Sequence, residues 1–118
     1  MAAPNVVSVG TITGKTAVSA DVGTTAVSLV TNSALSGQVF KVNFLTCSNV
    51  TAGAVAVTVD LFRSSVAYTI ANAVSIPAGA TLDVLNKAVY LEEGDVLRVT
   101  SDTATSLDAV ASYEVISE

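Results

Sequence analysis

Hydrophobic and polar positions alternate along much of the chain with a period of two. Val55, Val57, Val59 and Leu61 alternate with Ala54, Ala56, Thr58 and Asp60. Leu107, Ala109, Ala111, Tyr113 and Val115 form a second row, set against Asp108, Ser112 and Glu114. Phe40, Val42 and Phe44 fall on one side of Lys41 and Asn43, and Leu97 and Val99 alternate with Arg98 and Thr100. Val66, Tyr68 and Ile70 make a further row. A two-residue period marks β-strands, whose successive side chains point to opposite faces.

Turn residues punctuate these rows. Breaks at Gly14-Lys15, Asp21-Val22-Gly23, 32–37, 49–53, Arg63-Ser64-Ser65, Pro77-Ala78-Gly79, 92–95 and 101–106 leave strands over roughly 5–13, 16–20, 24–31, 38–48, 54–63, 66–76, 81–90, 95–101 and 107–117. Only Leu82, Leu85, Val89 and Glu93, ahead of Gly94, also fit a helical face, and a strand is the preferred reading there. The expected fold is all-β: an antiparallel two-sheet sandwich, jelly-roll-like, of about eight strands. One β-sandwich domain over 11–118 follows an extended N-terminal arm at 1–10. Both faces of 54–62 are mostly apolar or small, which suits a strand covered by the core on one side and a neighbouring subunit on the other. Phe62 is out of phase with the Val55–Leu61 row, so it is expected on the outer face as a subunit contact.

Composition narrows the chemistry. The 118 residues are 51% hydrophobic and 13% charged, with a mean hydropathy of +0.64. Val, Ala, Thr and Ser supply more than half of them. Val and Thr suit a pleated surface, and strong helix formers are sparse. The absence of His removes a Ser-His-Asp triad, a Cys-His pair and any His-based metal site. One Cys removes an intramolecular disulfide and a Cys-cluster zinc site. No catalytic, cofactor-binding or metal-binding residue is therefore assigned, no cofactor is expected, and the chain is read as a non-enzyme. The net charge is -5, and Lys15, Lys41, Arg63, Lys87 and Arg98 are scattered. Nucleic-acid binding, which needs a basic footprint, is not expected. No apolar run reaches the roughly 18 residues of a transmembrane helix, so no membrane partner is expected. The start of the chain lacks a signal-peptide pattern, so synthesis in a cytoplasm is expected, and Cys47 fits a reducing compartment.

Several short motifs invite a chemical reading. Gly10-Thr-Ile-Thr-Gly14-Lys15-Thr16 approaches a phosphate-binding loop but is one residue short, and no helix pattern follows. It reads better as a Thr-rich strand ending in a Gly-Lys turn. Glu92, Glu93 and Asp95 suggest either a calcium turn or a solvated turn in which Gly94 takes a positive φ and Asp95 bonds the backbone. Paired glycosidase carboxylates are disfavoured, since neighbours on one short turn do not face each other across a substrate. Cys47 has no base and reads as a small buried hydrophobe. Asn49-Val50-Thr51 matches a glycosylation acceptor and is read as a chance match. The aromatics Phe40, Phe44, Phe62, Tyr68, Tyr90 and Tyr113 are spread over many strands, which suits core or interface plugs better than a sugar or base platform.

Two stretches belong together: Val74-Ser-Ile-Pro-Ala-Gly-Ala-Thr-Leu82 and Leu91-Glu-Glu-Gly-Asp-Val-Leu-Arg-Val99. This pair resembles the small jelly-roll virion proteins of tailed bacteriophages, among them capsid decoration (cement) proteins and neck or tail accessory proteins. The resemblance covers about the last two-thirds of the chain. It implies a structural role on the outer surface of the head, as a homo-oligomer with a trimer favoured, clamping the major capsid protein. The location implied is the virion, after synthesis in the bacterial host cytoplasm. A neck, tail or fibre-base component is the alternative, and a carbohydrate- or receptor-binding module stands behind it.

Overall fold

A computed structural model describes residues 10–118. The described residues contain nine strands and no helix: β1 (Thr11–Val22), β2 (Val27–Thr31), β3 (Gln38–Asn49), β4 (Val55–Arg63), β5 (Val66–Ile76), β6 (Thr81–Asp83), β7 (Val89–Leu91), β8 (Val96–Ser101) and β9 (Leu107–Ser117). One sheet has the order β1-β9-β3-β6, with β7 also paired to β3; the other has the order β2-β8-β4-β5. Every pairing is antiparallel. The chain crosses between sheets at almost every step, which is the connectivity of a jelly-roll sandwich. The expected extended arm lies outside the described residues apart from Gly10.

The alternating rows do what their period requires. Val55, Val57 and Val59 of β4, Leu97 and Val99 of β8, and Leu107, Ala109 and Ala111 of β9 are buried in one cluster with Val42, Leu45 and Cys47 of β3. Phe40 and Tyr113 stack at 5.4 Å within this layer.

Three local expectations are corrected. Gly14-Lys15 is not a turn: β1 runs straight through it, with Gly14 opposite Glu114 and Lys15 opposite Tyr113. The long β9 supplies a partner for every residue of β1 from Thr11 to Ser19, and this pairing overrides the local turn signal. Phe40, Val42 and Phe44 do not share a face. A bulge between Val42 and Phe44 inserts Asn43, so Leu45 and Cys47 continue the buried side while Phe44 turns outward and is 39% exposed. The expected strand at 81–90 is two short ones, both on the same edge of β3: β6 beside Thr46–Ser48 and β7 beside Phe40–Val42. Between them the chain leaves the ladder and buries Leu85.

Candidate functional site

No pocket opens among the described residues. Gly10–Thr16 is extended backbone leading into and forming β1, with no helix N-terminus to receive a phosphate.

The acidic turn has internal partners. Asp95 is 1% exposed. It accepts from Arg63 Nε at 2.7 Å and Nη2 at 2.6 Å, and from the Glu92 N–H at 2.8 Å. Glu92 accepts from Arg63 Nη2 at 2.8 Å, and Glu93 from the Gly37 N–H at 2.8 Å. Burial alone would raise the Asp95 carboxyl; the Arg63 hydrogen bond, the Glu92 N–H and the Arg63 charge outweigh it and hold the group below the usual carboxylate range. The same contacts raise Arg63 further above its ordinary value. A guanidinium thus stands where a calcium ion would need oxygen ligands. Among the described residues no three His, Cys, Asp or Glu side chains converge on a common point.

Cys47 is fully buried in β3, and burial pushes its thiol up to about 12. The native thiol is expected to resist a neutral-pH maleimide or disulfide reagent and to react stoichiometrically only after denaturation. Fast reaction of the folded protein would contradict its placement.

Asn49 is not an acceptor for a glycan. It is 2% exposed, and its Nδ2 donates to Gly53 O at 2.7 Å and Ile76 O at 2.9 Å. Its Oδ1 accepts from the Thr51 N–H and hydroxyl at 2.9 and 2.7 Å. Asn32 is its counterpart: Nδ2 donates to Gln38 O and Leu91 O, both at 3.0 Å, and Oδ1 accepts from the Ser36 hydroxyl at 2.6 Å.

These two asparagines explain the paired motifs. In Pro77–Ala80 the Ala80 N–H donates to Pro77 O, and in Glu92–Asp95 the Asp95 N–H donates to Glu92 O, each at 3.0 Å. Each turn has a glycine at its third position with positive φ, Gly79 at 74° and Gly94 at 88°. No atom crowds a Cβ at either position, so the backbone angle, and not space, calls for glycine. Gly79 N–H donates to Asn49 O, and Gly94 N–H to Asn32 O. In return Asn49 N–H donates to Ala80 O, and Asn32 N–H to Asp95 O. One device, a turn docked on a buried Asn, is used twice to carry the chain between sheets. The motifs that carry the virion resemblance thus have a complete structural role within the fold.

The two outer faces differ. Outside the β2-β8-β4-β5 sheet, Arg98 bonds Asp60 at 2.8 Å and lies 4.0 Å from the centre of the Phe62 ring. Phe62 is on the outer face as expected, but Arg98 of the same chain covers it, so it does not require a neighbouring subunit. The other sheet carries exposed Val18, Phe44 and Tyr90 on its outer side.

A third surface was not legible as such from the sequence. β5 is an edge strand whose substantial packing partner is β4. Val66 and Tyr68 lie opposite Arg63 and Leu61, on the core-facing side of the sheet, yet are 48% and 55% exposed. The facing sheet ends there in the three-residue β7, too short to cover them. One sequence signal marks the site: β5 holds eleven residues without a charge, unusual for an edge strand.

No family model matches the chain, and no curated protein does. A solved structure from work describing Bacillus endospore appendages as a novel family of disulfide-linked pili is similar in fold. It superposes with a TM-score of 0.55 at 12% identity, over 91% of this chain and 88% of that one. At that identity the likeness concerns the two-sheet sandwich alone.

Proposed function

We propose that the protein is a structural building block that works by surface contact, and that its role is capsid decoration on the outer surface of a tailed-phage head. The observation that carries the reading is the set of uncovered apolar side chains on a rigid sandwich: Val66 and Tyr68 on β5, with Val18, Phe44 and Tyr90 on the opposite sheet. Apolar groups at strand edges and on one outer face are what a clamp between neighbouring subunits presents. The paired-turn resemblance to small jelly-roll virion proteins supports the same reading. The partners are further copies of this chain, with a trimer favoured, and the major capsid protein. The test is electron microscopy of heads assembled without the protein, before and after adding it back. New density at fixed lattice positions is the expected result, and unchanged heads would refute the role.

A second reading is favoured by the fold likeness to the endospore appendage structure: a subunit of a tail or other filament. Disulfide linkage, the property named for those pili, is not available through Cys47, which is buried and is the one cysteine in the sequence.

A further inference from the structure

Each sheet has one long edge and one short one. β1 has twelve residues and lies over β2, which has five. On the opposite side of the sandwich β5 has eleven, against three each for β6 and β7. The sandwich therefore overhangs twice, in opposite layers and on opposite sides. The overhangs also share one end of the molecule. Thr11 lies opposite Ser117, which lies opposite Gln38. Gln38 O accepts from Asn32, whose N–H donates to Asp95 O, and Asp95 holds Arg63, opposite Val66. On β1 the core-facing Thr11, Thr13 and Lys15 are exposed. On β5 the core-facing Val66 and Tyr68 are exposed as well.

We infer that the β5 overhang of one copy lodges under the β1 overhang of a second copy, in a head-to-tail lap joint that covers Val66 and Tyr68. This inference rests on the reading of the protein as a self-assembling block and names the surface used. The second copy is chosen by shape: the missing layer over β5 is the layer that β1 extends past its own β2. Charge agrees. β5 carries none, so a chain of net charge -5 meets no acid on that strand, and the core-facing side of the incoming β1 brings a cation, Lys15, and no acid. Such a contact joins two different patches, so repetition closes into a ring or continues as a filament.

The test uses two single-cysteine additions to the full chain, Thr13→Cys and Tyr68→Cys, with Cys47 left buried. Both sites are exposed, and each variant is first shown to melt like the parent. The two are mixed and treated with a short bifunctional maleimide. A covalent dimer from the mixture, absent from either variant alone and from the parent, is the expected result. Equal cross-linking of Tyr68→Cys alone would replace the lap joint with a two-fold pairing of β5. No cross-link while sedimentation shows oligomers would overturn the joint and leave the self-assembly reading standing. A monomer at every concentration would overturn both.

Discussion

Asn49→Ala is expected to destabilise the protein by roughly 2–4 kcal/mol, and Asn32→Ala by a similar amount, because each removes the donor to a buried backbone carbonyl and the side-chain anchor of a turn. Asn49 Nδ2 is the donor given to Gly53 O and Ile76 O, and Asn32 Nδ2 the donor given to Gln38 O and Leu91 O. Of these carbonyls Ile76 O and Leu91 O are bonded in buried surroundings, and alanine removes the side-chain donor from each. The loss also loosens the turn docked on each Asn, and with it the passage between sheets. Asp at either position tests the cause, since it keeps the size and the acceptor but removes both donors. Urea melts of the two alanine and two aspartate variants provide the measurement. A change under about 0.5 kcal/mol, the range of ordinary surface substitutions, would contradict the role of the asparagines.

Asp95→Ala is expected to cost about 2–3 kcal/mol at neutral pH, mostly through the stranded Glu92 N–H and the lost guanidinium bonds. Arg63 is 41% exposed in its side chain, so once Asp95 is gone water recovers part of its interaction. Arg63→Ala is expected to cost a comparable amount, because it leaves the buried Asp95 carboxylate with only the Glu92 N–H as a partner. The pH dependence has a definite sign. The folded-state carboxyl lies below its unfolded value, so its contribution is fully present above that value, near 4, and is lost as pH falls through the folded one. The stability gap between parent and Asp95→Ala should stay level from about pH 7 to 5 and shrink below about pH 4. A gap that widens in acid would contradict the assignment.

The sandwich was legible because burial imposes a two-residue period on every strand it covers. Val55 to Leu61 and Leu107 to Val115 each pack one side into the core, and most strand ends fall within a few residues of the turn signals. What escaped was set by partners distant in sequence. Gly14-Lys15 reads locally as a turn, and only β9, about a hundred residues away, keeps it extended. The Asn43 bulge leaves no local mark, and it decides that Leu45 is buried and Phe44 exposed. The Val66–Tyr68–Ile70 row looks like a core face; a bulge against β4 falls at Ile70, and Val66 and Tyr68 are uncovered because β6 and β7 are short, a property of other segments. Arg98 over Phe62 was hidden in the same way, since it depends on the register of β8 against β4.

The structural role stands or falls on whether the chain is part of a particle, and in what number. For the proposed head decoration the direct measurement is quantitative mass spectrometry of purified tailed-phage particles whose genome carries this sequence, with the major capsid protein as internal standard. A decoration protein should be present at a copy number on the order of the shell subunits, since it occupies positions repeated by the shell symmetry. Its absence from purified particles, or a count of no more than about six as in a single neck ring, would contradict decoration of the head.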